Sequence, residues 1–188
     1  MIWHVDQQAA VNGDGSEKRP FRWIQQAAEV AQPGDEVLVE PGIYREEVSP
    51  VYAGTKDKPI VYRSRVPRAA VITGAERFDS WEKAEGDVWK LTIPNDLFRG
   101  YNPYTTLVWG DWLSPTFPCH TGEVYLNGKS LYERETLEQV MNPVIDDTSW
   151  DKEFTLHTWY TCQGEERDET ILYANFQGAD PNREQVEI

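Results

Sequence analysis

Residues 27–50, AAEVAQPGDEVLVEPGIYREEVSP, constrain the fold more than any other part of the chain. They begin as the end of a helix, which the turn Pro33-Gly34-Asp35 stops, because proline cannot continue a helix and glycine tolerates the positive φ of a tight reversal. A short apolar run at 37–39 then predicts a buried strand, and Pro41-Gly42 separates it from a second strand. This order predicts the cap and first coils of a right-handed parallel β-helix. A βα unit of another α/β fold is the alternative that periodicity leaves open.

The segment before this stretch predicts the cap itself. A helix over about 22–31 places Phe21, Ile24, Ala27 and Ala31 at helical spacing, and the first coil of a solenoid needs such an apolar cover. The run at 44–47, although it holds two adjacent glutamates, is interpreted as coil surface and not as a carboxylate site. Short strands are expected at 3–5, 36–40, 44–48, 60–64 and 70–73.

The pattern changes at about Phe78. Residues 88–93 alternate between apolar and polar side chains, which is typical of half-buried antiparallel strands. Asn127-Gly128, between VYL and KSLY, is a strong two-residue hairpin signal. Further strands are expected at 106–109, 154–161 and 170–175, with one or two helical turns at 136–141. The chain is therefore interpreted as mainly β, with β-helix coils at 1–77, an inserted antiparallel β-sandwich at 78–184, and a return strand at 185–188.

Charge and composition restrict the partners. A net charge of −14 argues against nucleic acid and against anionic membrane surfaces, since both need a basic face. No apolar run approaches the roughly 20 residues that span a bilayer. The start, MIWHVDQQ, lacks the basic and apolar regions of a secretory signal, so a cytoplasmic protein is expected. Eight Trp and nine Tyr are informative, because exposed aromatic rings are platforms for sugars, although core packing is the commoner fate of any one Trp.

Cysteine usage gives no metal or redox motif. Cys119 and Cys162 lack the spacing of a zinc knuckle or a CxxC pair, and they can bond to each other only if neighbouring strands bring them together. Asp14 lies in a turn without a full set of oxygen ligands at recognisable spacing. No metal and no cofactor are expected.

Several motifs together resemble one family. The opening motifs at 20–46 are shared by many β-helix proteins, including polysaccharide lyases, and indicate fold alone. Later motifs are more specific and resemble the β-sandwich insertion of the glycoside hydrolase family 120 β-xylosidases: GAER at 74–77, NPY at 102–104, GDW at 110–112, GEVYLNG at 122–128 and ANFQGADPN at 174–182. The resemblance covers essentially the whole chain, as an N-terminal portion of such an enzyme.

The resemblance implies a function. Family members remove xylose from the non-reducing end of xylo-oligosaccharides with retention, which needs two carboxyl groups about 5–5.5 Å apart. In the family these groups lie on later β-helix coils, beyond the position that matches Ile188. None of the 32 acidic residues here is therefore assigned a catalytic role, and this chain alone is expected to be inactive. The family also implies a homo-oligomer in which the sandwich approaches a neighbour's active site.

One sugar-binding position follows from the resemblance. Trp112 matches a tryptophan that lines the family's sugar pocket, where an aromatic ring contacts the sugar and excludes water. Asp111 beside it is positioned to hydrogen-bond a sugar hydroxyl or to stabilise a turn. His120 lies in a segment, 114–121, that departs from the family pattern. His4 and His157 are interpreted as packing or surface residues.

Two other functions stay open at this stage. One is a carbohydrate-binding or assembly module without chemistry, which would use exposed Trp and Tyr side chains on the sandwich. The other is a polysaccharide lyase, which shares the fold but needs a basic cluster and usually calcium. The net charge of −14 speaks against that cluster.

Overall fold

The computed structural model describes residues 1–110 and 117–188. The described chain is mainly β and divides into two compact units, Met1–Ala75 and Glu76–Ile188. In the described residues, no helix has the length and apolarity needed to cross a membrane.

The first unit is built from parallel strands. It contains β1 Ile2–Val5, α1 Ile24–Val30, β2 Glu36–Val39, β3 Gly42–Arg45, β4 Val61–Ser64 and β5 Ala70–Thr73. One sheet has the order β1-β2-β4, and β3 pairs with β5; every one of these pairings is parallel. The series of short strands is confirmed, except that the strand expected at 44–48 lies at Gly42–Arg45, and the helix is shorter at both ends than the predicted 22–31.

The core of this unit lies between α1 and the strands. The predicted apolar face of the helix is buried, with Ile24, Ala27 and Ala31 at 1% exposure or less. These side chains pack in one cluster with Val37 from β2 and Tyr44 from β3. Burial of each large aliphatic side chain contributes about 1.5–3 kcal/mol, so this contact explains why so short a helix forms.

A distant carboxylate caps α1. Glu46 Oε1 accepts a hydrogen bond from the Ile24 backbone N–H at 2.9 Å, and Oε2 accepts one from the Gln25 N–H at 2.8 Å. The Gln26 side chain accepts from the Trp23 N–H at 3.0 Å. Glu46 is therefore more than coil surface, because it satisfies two of the unpaired donors of the first helical turn.

The second unit is built mainly from antiparallel strands. Its strands are β6 Glu82–Glu85, β7 Val88–Pro94, β8 Tyr125–Leu126, β9 Lys129–Ser130, β10 Tyr132–Glu133, β11 Thr158–Gln163, β12 Glu169–Asn175 and β13 Val186–Glu187. Its helix α2 is Leu137–Met141, and 3₁₀ turns occur at Asn95–Phe98 and Glu153–Leu156. A five-stranded sheet has the order β10-β11-β12-β7-β6, with only β10–β11 parallel, and β13-β8-β9 form a second sheet.

Aromatic residues fill the core of this unit. Trp159 on β11 is 1% exposed, and the ring of Tyr104 meets it edge-on at 5.8 Å. Trp81 meets Phe176 in the same way at 5.2 Å. Leu172 and its neighbours on β7 and β12 alternate between this core and the outer face, as the sequence pattern predicted.

Most local predictions for this unit are confirmed. The Asn127-Gly128 hairpin joins β8 to β9, and Thr136 with Gln139 forms a capping box at the start of α2. The strand expected at 106–109 is wrong: Leu107 makes only an isolated bridge with His120.

The strand predicted at 154–161 begins only at Thr158. A 3₁₀ turn precedes it, because three-residue spacing stacks Phe154 on His157 with ring centroids 4.3 Å apart. Both cysteines, Cys119 and Cys162, are free. Residues 186–187 pair with β8 inside this unit, so their predicted role as a return strand to a β-helix stays a prediction.

Candidate functional site

A cleft of about 740 Å³ opens on the second unit. Three segments form its described walls: residues 107–110, residues 118–120 with Glu123, and residues 130–133. None of the described lining residues is a lysine or an arginine. The cleft is therefore acidic and aromatic, and it disfavours anionic ligands.

Buried contacts hold the first two walls. The Val108 N–H donates to the Cys119 carbonyl at 2.9 Å, which ties the two segments together. The Tyr104 hydroxyl donates to the Glu123 carbonyl at 2.7 Å, and burial raises the pKa of this phenol far above its usual value. Gly122 lies against the Tyr104 ring, where an added Cβ would come within 2.5 Å of the ring. The backbone beside Glu123 is thus fixed by the core.

His120 and Glu133 form a pair in the cleft. Glu133 Oε1 lies 2.5 Å from His120 Nδ1, and Oε2 accepts a hydrogen bond from the His120 backbone N–H at 3.0 Å. The side chains are 23% and 11% exposed, respectively. β10 supplies Glu133, which is opposite the buried Trp159 in the parallel pairing with β11. One carboxylate therefore holds both the ring and the backbone of His120.

Glu123 is a second carboxyl group with a different environment. Ser130 donates its hydroxyl hydrogen bond to Glu123 Oε2. Although the residue as a whole is exposed, partial burial of the carboxyl group raises its pKa, and the nearby charge of Glu133 acts in the same direction. The two carboxyl groups are therefore unlike, since Glu133 is bonded to an imidazole and Glu123 has a pKa raised mainly by burial.

Cys119 is not activated for nucleophilic chemistry. Burial raises the pKa of its thiol, and the charges of Glu133 and Glu123 raise it further. The Sγ atom lies 3.6 Å from the Phe117 carbonyl as a weak donor. A thiol with a raised pKa is mostly protonated at neutral pH, so the cleft does not have the chemistry of a cysteine hydrolase.

Aromatic side chains line the other parts of the cleft. The Trp109 side chain is 88% exposed, which is unusual for so large an apolar group in a cleft. Tyr132 lies on the facing segment, and its hydroxyl is 3.2 Å from Ser149 Oγ. An open indole ring beside carboxyl and imidazole groups can accommodate a neutral polyol, whose C–H face packs on the ring while its hydroxyls form hydrogen bonds with the polar groups.

The two site residues predicted from the sequence, Asp111 and Trp112, lie outside the described residues. They follow Gly110, which lines the cleft, directly in the chain. His120, whose segment departs from the family pattern, also lines the cleft. Sequence reasoning did not identify Trp109 or Glu133. Trp109 stands next to the GDW motif, which is a signal for it, whereas nothing local marks Glu133 as a partner of a residue 13 positions away.

The other two histidines have structural surroundings. His4 Nδ1 is 3.3 Å from the Arg65 guanidinium on the surface of the first unit. His157 stacks on Phe154, and burial lowers the pKa of its imidazole. Both fit the packing and surface roles that the sequence indicates.

The chain is a β-rich protein whose cleft is lined by aromatic and acidic side chains, and such a lining is suited to sugars. The model of one protein family, described as the insertion domain of glycoside hydrolase 120, matches residues 78–188, which is more than half of the chain. The chain belongs to this glycoside hydrolase 120 family, as the motifs at 74–182 indicate.

The chain is also similar to one solved structure and to one curated protein. The structure of XylC in complex with xylose matches with a TM-score of 0.92 and 42% identity, over 100% of this chain and 31% of the XylC chain. YwoF, an uncharacterised protein of Bacillus subtilis strain 168, is 31% identical over 71 residues, which are 38% of this chain and 15% of YwoF. This chain thus spans about a third of XylC and less of YwoF.

Proposed function

We propose that this chain is the N-terminal part of a retaining β-xylosidase that acts on xylo-oligosaccharides. Its membership of the glycoside hydrolase 120 family and its likeness to XylC along its full length support this proposal. The two catalytic carboxyl groups are proposed to lie on later coils, outside these 188 residues. The part described here then contributes scaffold and substrate contacts, and no catalytic residue.

The first unit is proposed to be the beginning of a right-handed parallel β-helix. The two parallel ladders, β1-β2-β4 and β3-β5, support this proposal. Their outermost strands carry exposed apolar side chains, with Val61 at 42%, Val71 at 48% and Ile72 at 55% exposure. Such a surface suits the stacking of a further coil.

The cleft of the second unit is proposed to bind a neutral pyranose such as xylose. The observation that supports this proposal is the composition of the cleft, which combines the exposed indole of Trp109 with the hydrogen-bonding groups of His120 and Glu123. Trp112 and Asp111 are proposed to contribute to the same site, as the family resemblance implies. Since Glu123 and Glu133 are acidic, a uronate is expected to bind more weakly than xylose.

Binding is tested by titrating the 188-residue protein with xylose and xylobiose and following tryptophan fluorescence. We expect a saturable change, and Trp109→Ala and Trp112→Ala should each weaken binding by about fivefold or more, because an aromatic contact contributes about 1 kcal/mol. Trp150→Ala is the matched control, since Trp150 is 91% exposed and is not among the described lining residues of the cleft. If the folded protein shows no saturable change, or if Trp150→Ala has the same effect as the cleft variants, the proposed site is wrong.

A binding module without chemistry is the second candidate function. The observation that favours it is that the described cleft lies wholly within one unit and needs no residue of the other. The 188-residue protein should not release xylose from xylobiose under either function. Release at a rate comparable to an intact xylosidase would show that a catalytic pair lies within this chain. If the chain is part of a family 120 β-xylosidase, xylose should be released once the chain is extended through later coils. If it is a binding module, the extended chain should release none.

A further inference from the structure

We propose that Glu133 is a positioning residue, which keeps the proton of the neutral His120 imidazole on Nδ1 so that Nε2 offers a lone pair to a hydroxyl of the bound sugar. The identity of the ligand in this inference rests on the proposed function of the cleft. The tautomer does not, because it follows from contacts within the protein.

The contacts determine the donor and acceptor roles. An ionised carboxylate only accepts hydrogen bonds, and a backbone N–H only donates them. Glu133 Oε2 lies 3.0 Å from the His120 backbone nitrogen, and Oε1 lies 2.5 Å from Nδ1. Nδ1 must therefore carry a proton. In a neutral imidazole the other ring nitrogen then has none, so Nε2 is an acceptor.

No described residue makes a hydrogen bond to Nε2 of His120. Within the described part of the chain, the hydrogen bonds of His120 all go to Glu133. The other titratable groups of the described cleft have their own partners. Glu123 accepts a hydrogen bond from Ser130, and the Cys119 thiol donates a weak one to the Phe117 carbonyl. The Tyr132 hydroxyl is hydrogen-bonded to Ser149. Arg134 is turned to the carbonyls of Glu133 and Thr155 at 3.0 Å each and does not compete for the carboxylate.

This arrangement fits a neutral sugar. A sugar hydroxyl donates a hydrogen bond to the lone pair of a neutral Nε2, and the Nδ1–H tautomer provides this acceptor. A sugar carboxylate can only accept, and it would face Glu123 and Glu133 as well. The positioned imidazole therefore selects for hydroxyl groups over acidic groups.

A merely structural role for Glu133 is the competing explanation, and Glu133→Gln separates the two. The glutamine oxygen must face the His120 backbone N–H, because two donors cannot pair. Its NH₂ group then faces Nδ1 and forces that nitrogen to be the acceptor. The variant keeps both hydrogen bonds and removes one negative charge, yet it reverses the tautomer. Glu135→Gln is the matched control, since Glu135 is two residues away and exposed.

The first measurement needs no ligand. Long-range ¹H–¹⁵N NMR spectra of labelled protein between about pH 5 and about pH 9 report which ring nitrogen is protonated, and a His120→Gln spectrum assigns the signals. For the neutral imidazole, we expect the Nδ1–H form in the wild type and in Glu135→Gln, and the Nε2–H form in Glu133→Gln. A wild-type Nε2–H form, or identical tautomers in wild type and Glu133→Gln, would overturn the proposal.

The second measurement is the xylose affinity of the same proteins, with thermal unfolding to show that each is folded. Glu133→Gln should bind xylose about tenfold more weakly, because a donor replaces an acceptor at Nε2, and Glu135→Gln should match the wild type. Equal affinity in wild type and Glu133→Gln would overturn the role of Glu133 alone. If the wild type has the expected tautomer but binds no xylose, the sugar site and this role of Glu133 are both wrong.

Discussion

Asp35 shows how one residue serves two purposes. It belongs to the Pro33-Gly34-Asp35 turn, and its carboxylate also ties the start of β1 to the start of β2. It accepts from the N-terminal ammonium at 2.6 Å, from Trp3 Nε1 at 3.0 Å and from the Gln32 N–H at 3.0 Å. The ammonium contributes most, and together these donors lower the pKa of Asp35 to about 2.

The lowered pKa predicts a loss of stability in acid. The unfolded pKa of an aspartate is about 3.9, so Asp35 contributes its full stabilisation above about pH 4 and loses it as the pH falls towards about 2. Asp35→Asn should therefore melt at a lower temperature than the wild type at about pH 5, and the difference should shrink at about pH 2. Thermal unfolding at both pH values measures this. Asp57→Asn, at an exposed turn, is the control and should show no such convergence; a constant gap for Asp35→Asn would contradict the prediction.

At the scale of elements, α1 depends on contacts that are distant in sequence. A seven-residue helix is marginal by itself, and Trp23, which precedes it, is not a good capping residue. Glu46, the residue directly after β3, supplies the cap. The position of the helix could be predicted from its apolar spacing, but this cap could not, because capping rules consider only neighbouring residues.

Glu46→Ala should reduce the free energy of unfolding of the protein by about 2 kcal/mol. The change removes two charge-assisted hydrogen bonds to backbone N–H groups and leaves those donors without a protein partner. Urea denaturation followed by circular dichroism measures the change. Glu47→Ala is the matched control, because the adjacent Glu47 is exposed, and it should stay within about 0.5 kcal/mol of the wild type. Equal effects in the two variants would show that the cap does not stabilise the helix.

At the scale of the whole molecule, the features that could be predicted are those that depend on neighbouring residues in the sequence. Turn residues and periodicity were enough for the Asn127-Gly128 hairpin and for the short strands of the first unit. The order β10-β11-β12-β7-β6 depends on pairings between distant segments, which periodicity does not contain. The pair His120–Glu133 is of the same kind, since it joins residues 13 positions apart that no local pattern connects.

The two units also differ in how their outer strands and ends are arranged. The second unit encloses its own aromatic core, and its first and last residues lie together: Glu76 and Ile188 exchange backbone hydrogen bonds at 2.8 and 2.9 Å. Adjacent ends are typical of a module that folds by itself. The first unit ends in strands β4 and β5, which expose apolar side chains at their edges.

Residues 76–188 expressed alone should therefore fold and bind xylose with the affinity of the 188-residue protein, since the described cleft lies within them. Near-ultraviolet circular dichroism from buried tryptophans and a cooperative urea transition report folding, and fluorescence titration reports binding. A chain of residues 83–188 is the control. It lacks Trp81, which packs on Phe176 and exchanges two hydrogen bonds with Asn182. Loss of such an aromatic residue costs about 3–5 kcal/mol, so this chain should lose the cooperative transition. If residues 76–188 behave like the control, the second unit depends on the first for its fold, and the insertion is not an independent module.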